Sequence, residues 1–150
     1  MLRVAIGSDQ FGFRLKEDMK KYVQESGYEI QDCGCYSEDP VDYPDVALDV
    51  SMAVKEGRAD RGILICGTGV GMAITANKVP GIRASQCPDI VTAYRSRFNN
   101  DAQIMTLGSW ITGIDAARML IKIFLSTEYG GGATVPKLLK IADIESRFGK

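Results

Sequence analysis

Short β-branched and aliphatic runs alternate along the chain with longer stretches of helical character, the pattern of a parallel α/β sheet. Leu2–Gly7 reads as the first strand and Phe13–Glu25 as its helix, with Tyr28–Asp32 a second, shorter strand. A polar connection containing Ser37-Glu38-Asp39-Pro40 leads to a helix over Pro44–Glu56. Gly62–Cys66 is a continuous apolar run, as expected of a strand buried on both faces. A glycine-rich turn then enters a helix over Met72–Lys78. Ile82–Cys87 with Pro88–Phe98, and Ile104–Leu107 with Ile114–Leu125, complete two further strand–helix units. Gly130-Gly131-Gly132 breaks the alternation, and Pro136 suits the first turn of a last helix ending near Phe148. Because it follows a flexible hinge, this helix is expected to pack on a neighbouring subunit, with residues 130–150 serving as hinge and dimerisation helix of a single 1–150 domain.

Composition narrows the chemistry. A chain of 150 residues is the usual size of one core. Its 18 basic and 19 acidic side chains leave a formal charge of −1, which argues against a nucleic-acid binder. There is no histidine. Ser-His-Asp and Cys-His catalysis, His-zinc sites and His acid–base chemistry are therefore excluded. Cys33, Cys35, Cys66 and Cys87 are too few and too irregular for a disulfide scaffold or a zinc knuckle, so no metal is expected. The apolar run at the amino terminus is too short for a signal peptide, and no stretch approaches a membrane span. A cytoplasmic location without membrane contact is the expectation.

Three segments carry candidate groups expected to converge on folding: Gly7-Ser8-Asp9-Gln10, Cys66-Gly67-Thr68-Gly69-Val70-Gly71 and Asn99-Asn100-Asp101. Ligands of open parallel sheets bind beyond the carboxyl ends of the strands. Glycines 67, 69 and 71 allow positive φ and close approach of backbone N–H groups to an anion, and the next helix adds its positive dipole end. The bland alternative is a tight strand–helix turn without a ligand. Cys66, at a strand's end before a helix, is placed where a thiol is readily ionised and is the candidate acid–base group. Otherwise it is a small buried hydrophobe. Asp9 either binds sugar hydroxyls or caps the next helix, and Thr68 either donates to a ligand or ties the turn. Cys87 is expected to finish an inner strand, Trp110 to be core or interface, and Arg95 and Arg97 to lie on a solvated helix face. A nucleotide-binding alternative rests on Gly67-Thr68-Gly69 with Asp89 twenty positions beyond Gly69. Met72 stands where that motif needs its third glycine.

Taken in order, Gly7-Ser8-Asp9, Asp42-Tyr43-Pro44-Asp45, Gly62 through Met72 (GILICGTGVGM), Ala76 through Ala84 (ANKVPGIRA) and Asn100-Asp101-Ala102 resemble the ribose-5-phosphate isomerase B and galactose-6-phosphate isomerase family. The resemblance covers essentially the whole chain. It implies a three-layer Rossmann-like fold with a five-stranded parallel sheet and a self-associated dimer or tetramer that shares its active sites. It also implies aldose–ketose isomerisation of a sugar phosphate without cofactor. Carried onto this sequence, Cys66 is the base moving a proton between C1 and C2 through a cis-enediolate. The backbone of Gly67, Gly69 and Gly71 is the anion hole, and Asp9, Tyr43, Thr68 and Asn100 contact the sugar.

The departures are as informative. Asn99 replaces the family's usual ring-opening histidine, Gln10 stands in place of another histidine, and the usual phosphate-binding arginine positions read Trp110, Ala133 and Lys137. Asparagine is no general acid or base, and losing such a group costs about 10²–10⁴-fold. Lysine also lacks the planar, bidentate grip of arginine on phosphate. The expectation is an altered substrate that needs no ring opening, such as a tetrose phosphate. The alternative within the family is a non-catalytic subunit of a hetero-oligomeric galactose-6-phosphate-type isomerase.

Overall fold

The computed structural model describes residues 1–149, so Lys150, the last residue of the expected domain, lies outside the described residues. Five parallel strands, β1 (Arg3–Ser8), β2 (Glu29–Asp32), β3 (Arg61–Cys66), β4 (Ala84–Gln86) and β5 (Ile104–Gly108), form one sheet in the order β2-β1-β3-β5-β4. The helices are α1 (Phe13–Glu25), α2 (Tyr43–Lys55), α3 (Val70–Ala76), α4 (Ile90–Phe98), α5 (Ile114–Ser126) and α6 (Val135–Phe148). The expected Rossmann-like three-layer fold is present.

Two apolar clusters cover the two faces of the sheet. Val4, Ile6, Ile63, Ile65, Met105 and Leu107 pack with Leu15, Met19 and Val23 of α1 and Ala117, Ile121 and Phe124 of α5. Ala5, Leu64 and Ile104 turn the other way, onto Val46, Ala47 and Val50 of α2 and Met72 and Ala76 of α3. Alternating side chains of β1, β3 and β5 thus feed both layers, which is why these strands read as continuous apolar runs. α6 has no buried residue, and Val135, Leu139, Ile141, Ile144 and Phe148 are exposed.

Two expectations need correction. β4 is an edge strand of three residues, not an inner one over Ile82–Cys87. It pairs only with β5, and Asn77 fastens it by exchanging two hydrogen bonds of 2.8 and 2.9 Å with the Ala84 backbone. Cys87 lies just beyond β4 and is buried, its thiol pushed up by that burial. Arg97 is not on a solvated face: it is 1% exposed. Arg95 is exposed as expected.

Candidate active site

The order β2-β1-β3 places a topological switch between β1 and β3, whose carboxyl ends open the crevice where such sheets bind ligands. Ser8 is level with Ile65 and Cys66 with Gly108, so the segments after β1, β3 and β5 emerge side by side. The Asp9 N–H donates to the Ile65 carbonyl at 3.2 Å, prolonging the ladder past the end of β1.

Cys66 is buried, and the Gly69 N–H donates to its Sγ at 3.0 Å. Gly69 reaches that position with φ +80°, a left-handed conformation that glycine adopts without a Cβ penalty. Its carbonyl accepts from Thr106 Oγ1 at 2.7 Å, which holds the turn from behind. Of the three glycines, which all allow positive φ, Gly69 alone uses it. Gly67 and Gly71 instead leave room for neighbouring rings. A Cβ on Gly67 would stand 2.8 Å from the Trp110 ring, and one on Gly71 2.6 Å from the Tyr43 ring. Helix α3 starts at Val70, two residues before the expected Met72, directly out of this turn.

Thr68 ties the turn: its Oγ1 accepts from the Val70 N–H at 3.2 Å, and its carbonyl accepts from Gln86 Nε2 at 2.8 Å. Asp9 is buried, and its Oδ1 accepts from the Phe11 and Gly12 N–H groups, each at 3.0 Å. Burial pushes this carboxyl above the usual range, and the backbone donors only partly offset it. Gln10 Oε1 accepts from the Val41 N–H at 3.1 Å, which fastens the connection leading to α2. Tyr43 is the first residue of α2 and lays its ring against Gly71. Cys66, Thr68, Asp9, Gln10, Tyr43 and the three glycines therefore belong to one end of the sheet.

Asn99, Asn100 and Lys137 do not join them within the chain. The Asn99-Asn100-Asp101 turn precedes β5, and β5 climbs from the level of Gly62 to that of Cys66. Four residues of strand rise about 13 Å, so this turn sits at the opposite end of the sheet. The expected convergence of all three segments is thus corrected. Lys137 is exposed on α6. That segment is tied by the Gly130 N–H to the Phe98 carbonyl and by Glu145 Oε2 to the Gly81 N–H, both 2.9 Å, again at the amino-terminal end.

Sequence reasoning missed what makes this second turn rigid. Arg97 Nη1 donates to Asp101 Oδ1 at 2.9 Å and to the Ala102 carbonyl at 2.7 Å, while Arg83 Nε donates to the Asn100 carbonyl at 2.9 Å. Asp101 is held at φ +47°. The only sequence signal was an arginine four positions before an aspartate. Trp110, expected as core or interface, is 67% exposed beside the Gly67 turn. Asp89, the ribose-binding acid of the nucleotide alternative, instead caps α4, accepting from the Thr92 N–H at 2.8 Å and Oγ1 at 2.9 Å. Among the described residues no group of three His, Cys, Asp or Glu is arranged to hold a metal ion, and no helix is long and apolar enough to cross a membrane.

The Ribose/Galactose Isomerase family model matches residues 4–141. The chain is 44% identical over 149 residues to D-erythrulose-4-phosphate isomerase of Pectobacterium atrosepticum, covering 97% of this chain and 96% of that protein. It is 41% identical over 147 residues to ribose-5-phosphate isomerase B of Escherichia coli, covering 98% and 99%. Among solved structures, ribose-5-phosphate isomerase B of Clostridium thermocellum superposes with a TM-score of 0.97 at 44% identity, over 98% of this chain and 99% of that one.

Proposed function

The chain belongs to the ribose/galactose isomerase family, and from that premise we propose that it interconverts the aldose and ketose forms of a short sugar phosphate, with Cys66 as the base. The observation that carries this reading is the Cys66 sulfur facing the Gly69 N–H inside the Gly67–Gly71 turn. A thiolate there takes the proton from the carbon next to the substrate carbonyl. The electron pair moves onto the carbonyl oxygen, and N–H groups of the turn hold the resulting enediolate. The Thr68 hydroxyl, whose oxygen accepts from Val70, still has its own proton to offer a substrate oxygen. A proton passes from the neighbouring hydroxyl oxygen to the former carbonyl oxygen, and return of the proton from Cys66 to the neighbouring carbon completes the isomerisation. Asp9, Gln10 and Tyr43 line the same end of the sheet and are assigned to the sugar.

A second copy of the chain completes the site in this reading. Its Asn99, Asn100 and Lys137 approach Cys66 from outside, which accounts for polar candidates at both ends of the sheet. The exposed apolar residues of α6 support self-association. Residues 1–150 are then one domain whose segment after about 130 is a hinge and a dimerisation helix.

The substrate is a tetrose phosphate such as erythrulose 4-phosphate. Its C4 oxygen is esterified, so it closes no five-membered ring and needs no ring-opening acid, a task for which Asn99 is unsuited. The 44% identical relative that carries this sugar in its name supports the choice. The retained Cys66 turn speaks against a non-catalytic subunit. Incubation with tetrose, pentose and hexose phosphates in D2O, followed by NMR, tests the reading. Deuterium is expected at C1 or C2 of the tetrose phosphate and far less on cyclic pentose phosphates. Cys66→Ala is expected to lose about 10²–10⁴-fold of the exchange with its melting temperature preserved. Full exchange in that variant removes Cys66 as the base.

A further inference from the structure

Two loops meet over the Gly67 turn, and each brings an aromatic ring. The Trp110 N–H donates to the Gly67 carbonyl at 3.0 Å, and Ser109 Oγ donates to the Phe11 carbonyl at 2.7 Å. With both backbones fixed in this way, the Phe11 and Trp110 rings pack with centroids 5.1 Å apart at an interplanar angle of 60°. The Trp110 ring also covers Gly67 so closely that a Cβ there would collide with it at 2.8 Å. Yet Phe11 remains 53% exposed and Trp110 67% exposed. A tilted aromatic pair, anchored on one side and open on the other, therefore stands one residue from Cys66.

We infer that Phe11 and Trp110 form an aromatic wall of the sugar site, and that Trp110 is a specificity-determining residue packing against the uncharged C–H face of the substrate's carbon chain. The inference rests on the isomerase reading above and names what that site selects. Large aromatic rings supply most of the contact area in small-molecule sites, while a few polar groups set orientation. Their faces carry the negative side of the ring quadrupole, so they suit carbon-bound hydrogens and disfavour a phosphate laid over them. The wall therefore accepts a short carbon chain beside the reacting carbons and requires the phosphate to lie beyond the rings.

Trp110 is the single tryptophan of the chain, so its fluorescence reports this wall alone. The assembled Cys66→Ala protein, which binds without turning over, is titrated with D-erythrulose 4-phosphate. A saturable fluorescence change and protection from acrylamide quenching are expected. In the otherwise unaltered protein, Trp110→Ala is expected to raise KM about tenfold with kcat within about threefold, the pattern of lost ground-state binding. Trp110→Phe is expected to restore most of the loss. Phe11→Ala, which keeps the reporter, is expected to raise KM in the same direction and serves if Trp110→Ala does not fold. The wall is overturned if calorimetry shows binding while fluorescence and acrylamide access stay unchanged. It is equally overturned if Trp110 is already shielded before ligand is added, or if Trp110→Ala leaves KM unaltered. Absence of deuterium exchange by the unaltered protein on every sugar phosphate is a different result, which removes the isomerase reading and this inference with it.

Discussion

The two ends of the sheet carry polar groups of similar kind, but they are built by different means. At the carboxyl end the Gly67–Gly71 turn is shaped by backbone, with the Gly69 N–H on the Cys66 sulfur and rings packed against Gly67 and Gly71. At the amino end the Asn99-Asn100-Asp101 turn is gripped by side chains, the buried Arg97 from within and Arg83 from outside. The first end aims a main-chain donor inward at the Cys66 sulfur. The second braces a turn whose Asn100 side chain is exposed. One end carries the candidate base, Cys66, and the other has ordered polar groups and no candidate base. In the proposed reading the two unlike ends come together from two copies to make one catalytic unit.

The most forceful way to break this contrast is to inactivate each end in a different chain. Cys66→Ala and Asn100→Ala are each expected to lose nearly all exchange activity as separate proteins. Mixed one to one and refolded together, they are expected to recover about one quarter of the unaltered activity, since in a twofold dimer half the molecules are mixed and each keeps one intact site. No recovery, with mixed dimers demonstrated by differential tagging, would mean that both ends serve one chain or that Asn100 is not at the site.

A smaller effect probes the brace itself. Arg97→Ala removes a buried cation and leaves Asp101 Oδ1 and the Ala102 carbonyl without that partner. A loss of about 3 kcal/mol in urea unfolding is expected, at the lower end of the range for a broken buried pair because Asp101 is partly exposed. At a urea concentration where the protein remains folded, exchange activity should fall as the turn loosens. An unchanged midpoint would show that the turn is held without Arg97, by Arg83 and its own backbone.

The same contrast explains what the sequence disclosed. The apolar run Gly62–Cys66 and the helix Phe13–Glu25 were legible because burial on both faces, or on one helical stripe, writes its period directly into the residues. Ile82–Cys87 looked like a full strand for the same reason. Ile82 instead packs beneath α2 and α3 from a turn, and the edge position leaves only Ala84–Gln86 to pair. The Cys66 turn was legible because its glycines are a chemical signature. The opposed placement of Asn99 and Asn100 follows from chain direction, since a segment that precedes a parallel strand lies at its amino end, but side-chain identity does not display it. The bracing role of Arg97 was hidden altogether, because an arginine at the end of a helix looks the same whether its guanidinium meets water or buried carbonyls.

The smallest effect separates two carboxylates that share the carboxyl end. Burial works against the Asp32 carboxylate, yet Lys16, Lys20 and the Gly34 N–H outweigh it and hold Asp32 below the usual range. Asp9 is pushed above that range by its burial. Between the ordinary carboxylate pKa and the raised value of Asp9, the folded chain binds more protons at this position than the unfolded chain. Asp9 therefore makes stability fall as pH rises through that interval, and its cost stays constant above it. Asp32 acts in the opposite sense: its contribution is complete above the ordinary carboxylate pKa and is lost as pH falls through its lowered value. Asp9→Asn keeps an oxygen to accept from Phe11 and Gly12 while removing the buried charge. Melting curves from mildly acidic to neutral pH are expected to show the variant gaining on the unaltered protein as pH rises, ending slightly more stable at pH 7. A variant that loses ground over the same interval would mean that the Asp9 charge is repaid locally, and that this end of the sheet is as fully compensated as the arginine-braced one.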